Sequence, residues 1–450
     1  MEVSGAIHTL KDWLSSINPN PVAQIMIIAW AFGFMVEGAS GFGTPAAIAA
    51  PILAGLGFPI MKVAIVTLVM NSVPVSFGAV GTPTWFGFGP LGLGEDLVLE
   101  VGALTAFIHA LIGLVVPLIA LRFVVSTREI MRNIIFIYIS ILSCSVPYVV
   151  LAQFNYEFPA LVGGAIGLLA SVIAANAGIG LSKDHVAEAV ETLPFKKVFM
   201  ALLPTTLLIV ILIITRVQQL PFKAIMNDMT EMGTLSLGYL GNLEITRGLI
   251  VSLNNIFGTE IGDNYKILYT PAIIPFIVTV LICIPIFKVK KADVKDIFVV
   301  SAQQAKSPFF ALVGALIMVK IMLLGDATSM VNTIGNGFSA ATGEYWTYFA
   351  SFLGAIGAFF SGSCTVSNLT FGGAQLATAT NAGLPVVLIL ALQSIGGAMG
   401  NMVCINNIVA VGTVLNLHNQ EGPIIKCTII PMMVYGILAA IIAGVYLAIM

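Results

Sequence analysis

Apolar runs of about twenty residues, repeated along nearly the whole chain, restrict this sequence more than any other feature. They fall at roughly 21–36, 60–80, 98–121, 133–152, 158–180, 198–216, 271–287, 307–324, 345–360, 384–403 and 428–450. A helix rises about 1.5 Å per residue, so each run matches a hydrocarbon core about 30 Å thick. Composition points the same way. Only 9% of the 450 residues are charged, 58% are hydrophobic, and the mean hydropathy is +1.02. A soluble domain carries about 25% charged residues because water must cover it, and lipid removes that need. The expected fold is an all-α polytopic membrane protein of about 11–13 transmembrane segments. It forms a single transmembrane domain over 1–450.

The charges that remain are grouped. Arg122, Arg128 and Arg132 share one short connection, Lys183, Lys196 and Lys197 another, and Lys288, Lys290, Lys291, Lys295 and Lys306 a third. Two crossings separate each group from the next, which places all three inside by the positive-inside rule. The longest polar stretch, 217–266, then faces out with Asp228, Glu231, Glu244, Glu260 and Asp263. Glu2, Lys11 and Asp12 precede the first apolar run, which is unlike a cleavable signal peptide. A net charge of −2 offers nothing to nucleic acid. Cys144, Cys283, Cys364, Cys404 and Cys427 are scattered, without metal-ligand spacing, and read as small apolar residues. Neither a cofactor nor a metal is expected. The partners are the lipid bilayer and a small solute, and a homo-oligomer stays open.

Two stretches interrupt the helical pattern. Glu37-Gly38-Ala39-Ser40-Gly41-Phe42-Gly43-Thr44-Pro45 follows the first run, and Ser361-Gly362-Ser363-Cys364-Thr365-Val366-Ser367-Asn368-Leu369-Thr370 follows a late one. After each come a small, apolar segment and a second polar, glycine-rich cluster, from Asn71 to Pro83 and from Gln393 to Asn401. An amphiphilic stretch precedes each, Gly5–Ser16 and Ser329–Ala341. The pattern reads as one unit used twice, at about 4–83 and 329–415, with a re-entrant Gly/Ser-rich hairpin in each. An inverted repeat would need one more crossing than the basic loops allow, hidden within 217–266 or at 326–341.

Irregular backbone at membrane depth survives only where protein or water satisfies it. Paired interrupted segments therefore point to a midplane solute site in a secondary transporter. A half-helix N-terminus presents free N–H groups and about half a positive charge, which suits a carboxylate. Candidate substrate-binding residues are Ser40, Gly41, Gly43, Thr44 and Asn71 from the first unit. Ser363, Thr365, Ser367, Asn368 and Gln393 come from the second. Glu37, an acid at the end of a spanning run, is a proton-coupling candidate, and His109 within 98–121 is another. Against these stand plainer readings: glycine-rich helix packing, an interfacial Glu37 capping the turn, and a hydrogen-bonded structural His109.

The stretch Glu37–Phe58 (EGASGFGTPAAIAAPILAGLGF) resembles the glycine-rich signature of the L-lactate permease family over its whole length. Asn71–Pro83 is similar to that family's next block, and Ser361–Gln375 to its second hairpin. The resemblance covers essentially all of the chain. It implies uptake of L-lactate, and often D-lactate or glycolate, with protons across the bacterial cytoplasmic (inner) membrane. It also implies distant kinship with ion transporters whose re-entrant hairpins hold carboxylates. Family members usually carry further spanning helices ahead of the position matching Met1, so the chain reads as a member without those N-terminal helices. It departs from the family at Cys364, where many members have an acid, at Asn401, where they have Lys, and at Ile405-Asn406, where they have Pro-Gln. Losing an acid and a base together keeps local neutrality while changing the ligand.

Two rival functions follow from the residues. One is a secondary transporter of another organic or inorganic anion. The other is an intramembrane serine protease, since Gly38-Ala39-Ser40-Gly41 matches G-x-S-G and His109 could complete a dyad.

Overall fold

A computed structural model describes residues 4–41, 43–182, 193–216, 220–259, 262–270, 273–325 and 328–449. Glu2, Phe42, Lys183 and Glu260, each part of a reading above, lie outside these described residues. Among the described residues, seven helices are long and apolar enough to cross a membrane: Pro21–Ser40, Glu95–Gly113, Ile134–Ala152, Pro159–Asn176, Lys196–Arg216, Val386–Val403 and Glu421–Ile449. The pair Ile60–Met70 and Val75–Leu91, bent by 61°, makes an eighth if it is one span. The membrane part is therefore all-α and polytopic. Three further expected runs fall on shorter apolar helices, Ile274–Ile286, Leu312–Leu323 and Ala350–Ser361. Local sequence accounts for two of these limits: Pro275 and Pro285 bracket the first, and Gly362, at φ 75°, ends the last.

The chain divides into two compact units. One comprises Met1–Leu10 and Pro194–Val299. In it Phe195–Arg216 packs against Ile274–Ile286. Between them lies an antiparallel sheet of β1 (Glu231–Ser236), β2 (Asn242–Thr246), β3 (Ile250–Asn254) and β4 (Asp263–Lys266), in that order. The register places Thr234 opposite Glu244, and Glu244 opposite Ser252. Arg216 anchors the sheet's exit, donating to the Tyr269 carbonyl at 2.6 Å with its guanidinium 4.1 Å from the ring centre. The polar stretch 217–266 is thus a small sheet where the sequence suggested a loop, and its described residues contain no spanning helix. The other place for a hidden crossing holds Met330–Thr342, whose 13 residues rise about 20 Å, short of a hydrocarbon core.

The second unit, Lys11–Leu193 and Val300–Met450, contains both interrupted stretches. Helix α1 (Pro21–Ser40) starts under Asn20, whose side chain accepts from the Val22 amide at 2.9 Å, and includes a π stretch at Met26–Phe32. Gly41, at φ 61°, ends it. Then come α2 (Thr44–Gly55), α3 (Ile60–Met70), a 3-10 turn at Val73–Phe77 and α4 (Gly78–Trp85). Helices α5 (Glu95–Gly113), α6 (Ile134–Ala152) and α7 (Pro159–Asn176) follow.

The later stretch has the same order of elements. Helix α8 (Ala350–Ser361) ends at Gly362, followed by α9 (Cys364–Ala382), α10 (Val386–Gly400), a 3-10 turn at Asn401–Val403 and α11 (Ile405–Val414). Helix α12 (Glu421–Ile449) closes the chain. Small residues set the closest approach. A Cβ on Gly396 of α10 would lie 1.9 Å from the Ser351 carbonyl of α8, so backbone meets backbone there.

Candidate functional site

The two interrupted stretches converge on one narrow cleft. Glu37 and Gly41 line it from the end of α1, and Val75, Gly78, Ala79 and Pro83 from the break before and within α4. Gly362, Ser363, Cys364 and Thr365 line it from the start of α9, and Asn401 from the end of α10. Each wall is a place where a helix stops, and helix ends are where backbone groups lack intrahelical partners.

On the α9 side the chemistry is that of an N-terminus. Ser363 is the N-cap, its hydroxyl accepting from the Val366 amide at 3.3 Å. The first N–H groups of this 19-residue helix therefore meet the cleft, beside the side chain of Thr365. On the α4 side the backbone is strained. Ala79 and Val80 have φ of 45° and 56°, followed by Gly81 at 71°. A β-branched residue in that region is an outlier, and such residues cost about 1–3 kcal/mol each. Hydrogen bonds hold the turn: the Thr82 hydroxyl donates to the Ala79 carbonyl, and the Trp85 indole to that of Val80 at 3.0 Å.

Glu37 supplies the acid. It is 1% exposed, and its carboxylate accepts from the Asn71 side-chain amide at 3.0 Å. Asn71 is its only hydrogen-bond partner among the described residues, and no Lys or Arg pairs with it there. A Cβ on Gly78 would come within 2.4 Å of Glu37 Oε1, so a glycine is needed for the acid to sit as it does.

Sequence comparison gives the kind of protein that carries this cleft. The match to the L-lactate permease family runs over residues 1–450. The chain belongs to the L-lactate permease family. It is accordingly a multi-pass membrane transporter. A Haemophilus influenzae protein, provisionally named an L-lactate permease, is 62% identical over 98% of this chain and 83% of its own length. The L-lactate permease of Bacillus subtilis is 26% identical over 95% of this chain and 78% of its own length. That of Escherichia coli is 23% identical, over 98% and 80%. No solved structure matches the chain.

In this lactate-permease family member, four of the expected site residues, Glu37, Gly41, Ser363 and Thr365, line the cleft. Asn71 stands one hydrogen bond behind it, through Glu37. The rest are used elsewhere. The Ser40 hydroxyl donates back to the Val36 carbonyl at 2.9 Å. Gly43 packs against Asn407, and neither it nor Thr44 is among the lining residues. Ser367, Asn368 and Gln393 point into the protein. Gln393 donates to the Ser367 hydroxyl at 3.0 Å, Ser367 to the Gly354 carbonyl at 2.7 Å, and Asn368 to the Pro83 carbonyl at 2.9 Å.

His109 is fully buried, with Nε2 2.8 Å from the Ser76 hydroxyl and Nδ1 bonded to the Tyr435 hydroxyl. Ser40 and His109 therefore do not form the dyad of a serine protease, because each is committed to another partner. Cys364 and Asn401 also line the cleft; the sequence marks them only as departures from the pattern that the family resemblance implies.

Proposed function

We propose that the chain imports L-lactate, and with it D-lactate or glycolate, together with protons across the bacterial cytoplasmic membrane. One observation carries the reading: the N-terminus of α9, suited to a carboxylate, shares a cleft with Glu37, a buried acid without a cation. The substrate carboxylate takes the N–H groups of α9 and the hydroxyls of Ser363 and Thr365. Glu37 takes the proton.

Electrostatics couples the two. An anion about 5 Å from an ionised Glu37, at an effective dielectric of about 20, is opposed by about 3 kcal/mol. A proton on Glu37 removes that term, so proton and anion bind better together than apart. Co-transport also cancels charge. Moving the anion alone against an inside-negative potential costs about 2.3 kcal/mol per 100 mV, whereas each unit of inward pH gradient contributes about 1.4 kcal/mol to electroneutral uptake. Residues 4–83 and 329–415 act as two copies of one unit, and their hairpins move relative to the other helices to expose the cleft alternately.

Uptake of radiolabelled L-lactate by a transport-deficient bacterium expressing the chain tests this. Accumulation abolished by a protonophore is expected; no uptake overturns it. A second reading, transport of a different small anion, rests on Cys364 and Asn401. Both positions that exchange a charge pair for neutral groups line the cleft. Competition by unlabelled dicarboxylates and inorganic anions separates the two.

A further inference from the structure

Behind the cleft lies a buried hydrogen-bonded chain that joins its two halves. His109 on α5 bonds through Nδ1 to Tyr435 on α12 and through Nε2 to Ser76 in the 3-10 turn before α4. The Ser394 hydroxyl, on α10, donates to the Ser76 hydroxyl at 2.9 Å. Ser394 Oγ lies 3.9 Å from the Cys364 thiol, and Cys364 lines the cleft. Ser76, His109 and Ser394 are at most 1% exposed.

We propose that Ser76 and Ser394 form a hydroxyl relay that carries protons between the cleft and His109; this rests on the proton-coupled reading above.

The geometry supports both tautomers of the imidazole, which a merely structural histidine would not require. With the proton on Nδ1, the ring donates to Tyr435, and Ser76 donates to Nε2. With the proton on Nε2, Tyr435 donates to Nδ1, the ring donates to Ser76, and the Ser76 proton turns to the Ser394 carbonyl at 3.2 Å. A proton that enters past the Cys364 thiol, which lines the cleft 3.9 Å from Ser394 Oγ, can thus reach the Ser394 hydroxyl and displace that hydroxyl's proton to Ser76. The Ser76 proton in turn passes to Nε2. One proton enters, one N–H bond forms, and both hydroxyls keep a proton each. Return by the same route resets the chain.

The titratable neighbours bonded along this path are Tyr435 on α12 and Cys364 on α9; among the described residues no carboxylate hydrogen-bonds the ring. Position adds a second argument. Ser76 lies in the polar cluster of the first proposed repeat, 4–83, and Ser394 in that of the second, 329–415, 318 residues apart in sequence. If the two repeats part as the cleft changes sides, the relay is interrupted for that step, and a proton loaded on one side is held on His109 until the relay re-forms on the other.

The test uses the full chain in proteoliposomes and two assays: lactate exchange at equal pH, and accumulation driven by a pH gradient. Ser76→Ala and Ser394→Ala should each lower gradient-driven accumulation about tenfold or more, with exchange within about twofold of the unaltered chain. His109→Gln provides the second arm, because an amide can bond Ser76 and Tyr435 but cannot hold a transferable proton. It should show the same split. Equal loss in both assays, or accumulation at the unaltered rate, overturns the relay. If the unaltered chain exchanges no lactate at all, the transport reading fails and the relay falls with it.

Discussion

Asn71 donates to Glu37 across 34 residues of sequence, and this 3.0 Å bond joins the end of α1 to the end of α3. The Asn71 carbonyl oxygen is itself buried without a partner. An amide with one free acceptor suits an acid that changes protonation: the amide N–H serves the carboxylate, and a flipped amide offers its oxygen to the carboxylic acid. On the proposed reading, proton uptake by Glu37 needs a rotation of one side chain and no rearrangement of the helices.

Glu37→Gln should therefore separate exchange from accumulation. Gln fills the same space and can bond Asn71, but it cannot carry a proton. Lactate exchange is expected to persist, while accumulation against a gradient falls about tenfold or more and loses its protonophore sensitivity. Proteoliposome uptake with and without an imposed pH gradient measures both. Unchanged gradient-driven accumulation removes Glu37 from the coupling.

Gly78→Ala should disturb the same acid without changing any charge. The added Cβ would sit 2.4 Å from Glu37 Oε1, so either the carboxylate or the strained turn at Ala79–Gly81 must shift. Overpacking of this kind costs about 1–3 kcal/mol. Transport should fall while the protein still inserts and purifies as the unaltered chain does, which size-exclusion chromatography in detergent checks. Normal uptake would mean that Glu37 need not hold this position.

The membrane helices were legible because lipid imposes one simple demand, a long apolar run, and most of those runs are helices here. The sheet at 231–266 was not. Its strands are four to six residues long, and β1 is exposed along its whole length, so no apolar face announces it. The cleft was legible where helix ends are, at Glu37, Gly41, Ser363 and Thr365. It was not legible one turn further on. Ser367, Asn368 and Gln393 are polar and buried, as a ligand site requires, yet backbone and side chains of the protein satisfy them. Residue type gives the need for a partner; only the helix rotation says whether that partner is a solute.

Gly396→Leu should destabilise the protein without touching the cleft. Its side chain would enter the backbone of α8, where the Ser351 carbonyl is 1.9 Å from an ideal Cβ. Separating two helices that pack by backbone contact loses interactions along the whole crossing. The melting temperature in detergent should drop by several degrees, as expected for a loss of about 1–3 kcal/mol. Gly57→Ala, which meets nothing within 4 Å although its φ is 91°, should have the smaller effect.

The exchange of charge at Cys364 and Asn401 gives a sharper test of the cleft. Cys364→Asp alone places a second carboxylate beside the site and should weaken anion binding, by about 3 kcal/mol at about 5 Å and an effective dielectric of about 20, or about two orders of magnitude in affinity. Asn401→Lys alone leaves a cation in a cleft that already holds Glu37, and should compete for the proton by pairing with that acid. The two together restore neutrality, so the double variant should bind lactate better than the Asp variant, with a coupling energy well above the few tenths of a kcal/mol seen for independent sites. Binding isotherms for the four proteins complete the cycle. Additive effects would mean that Cys364 and Asn401 do not act on one bound anion, and the cleft would then have to be subdivided between two ligands or abandoned as the substrate site.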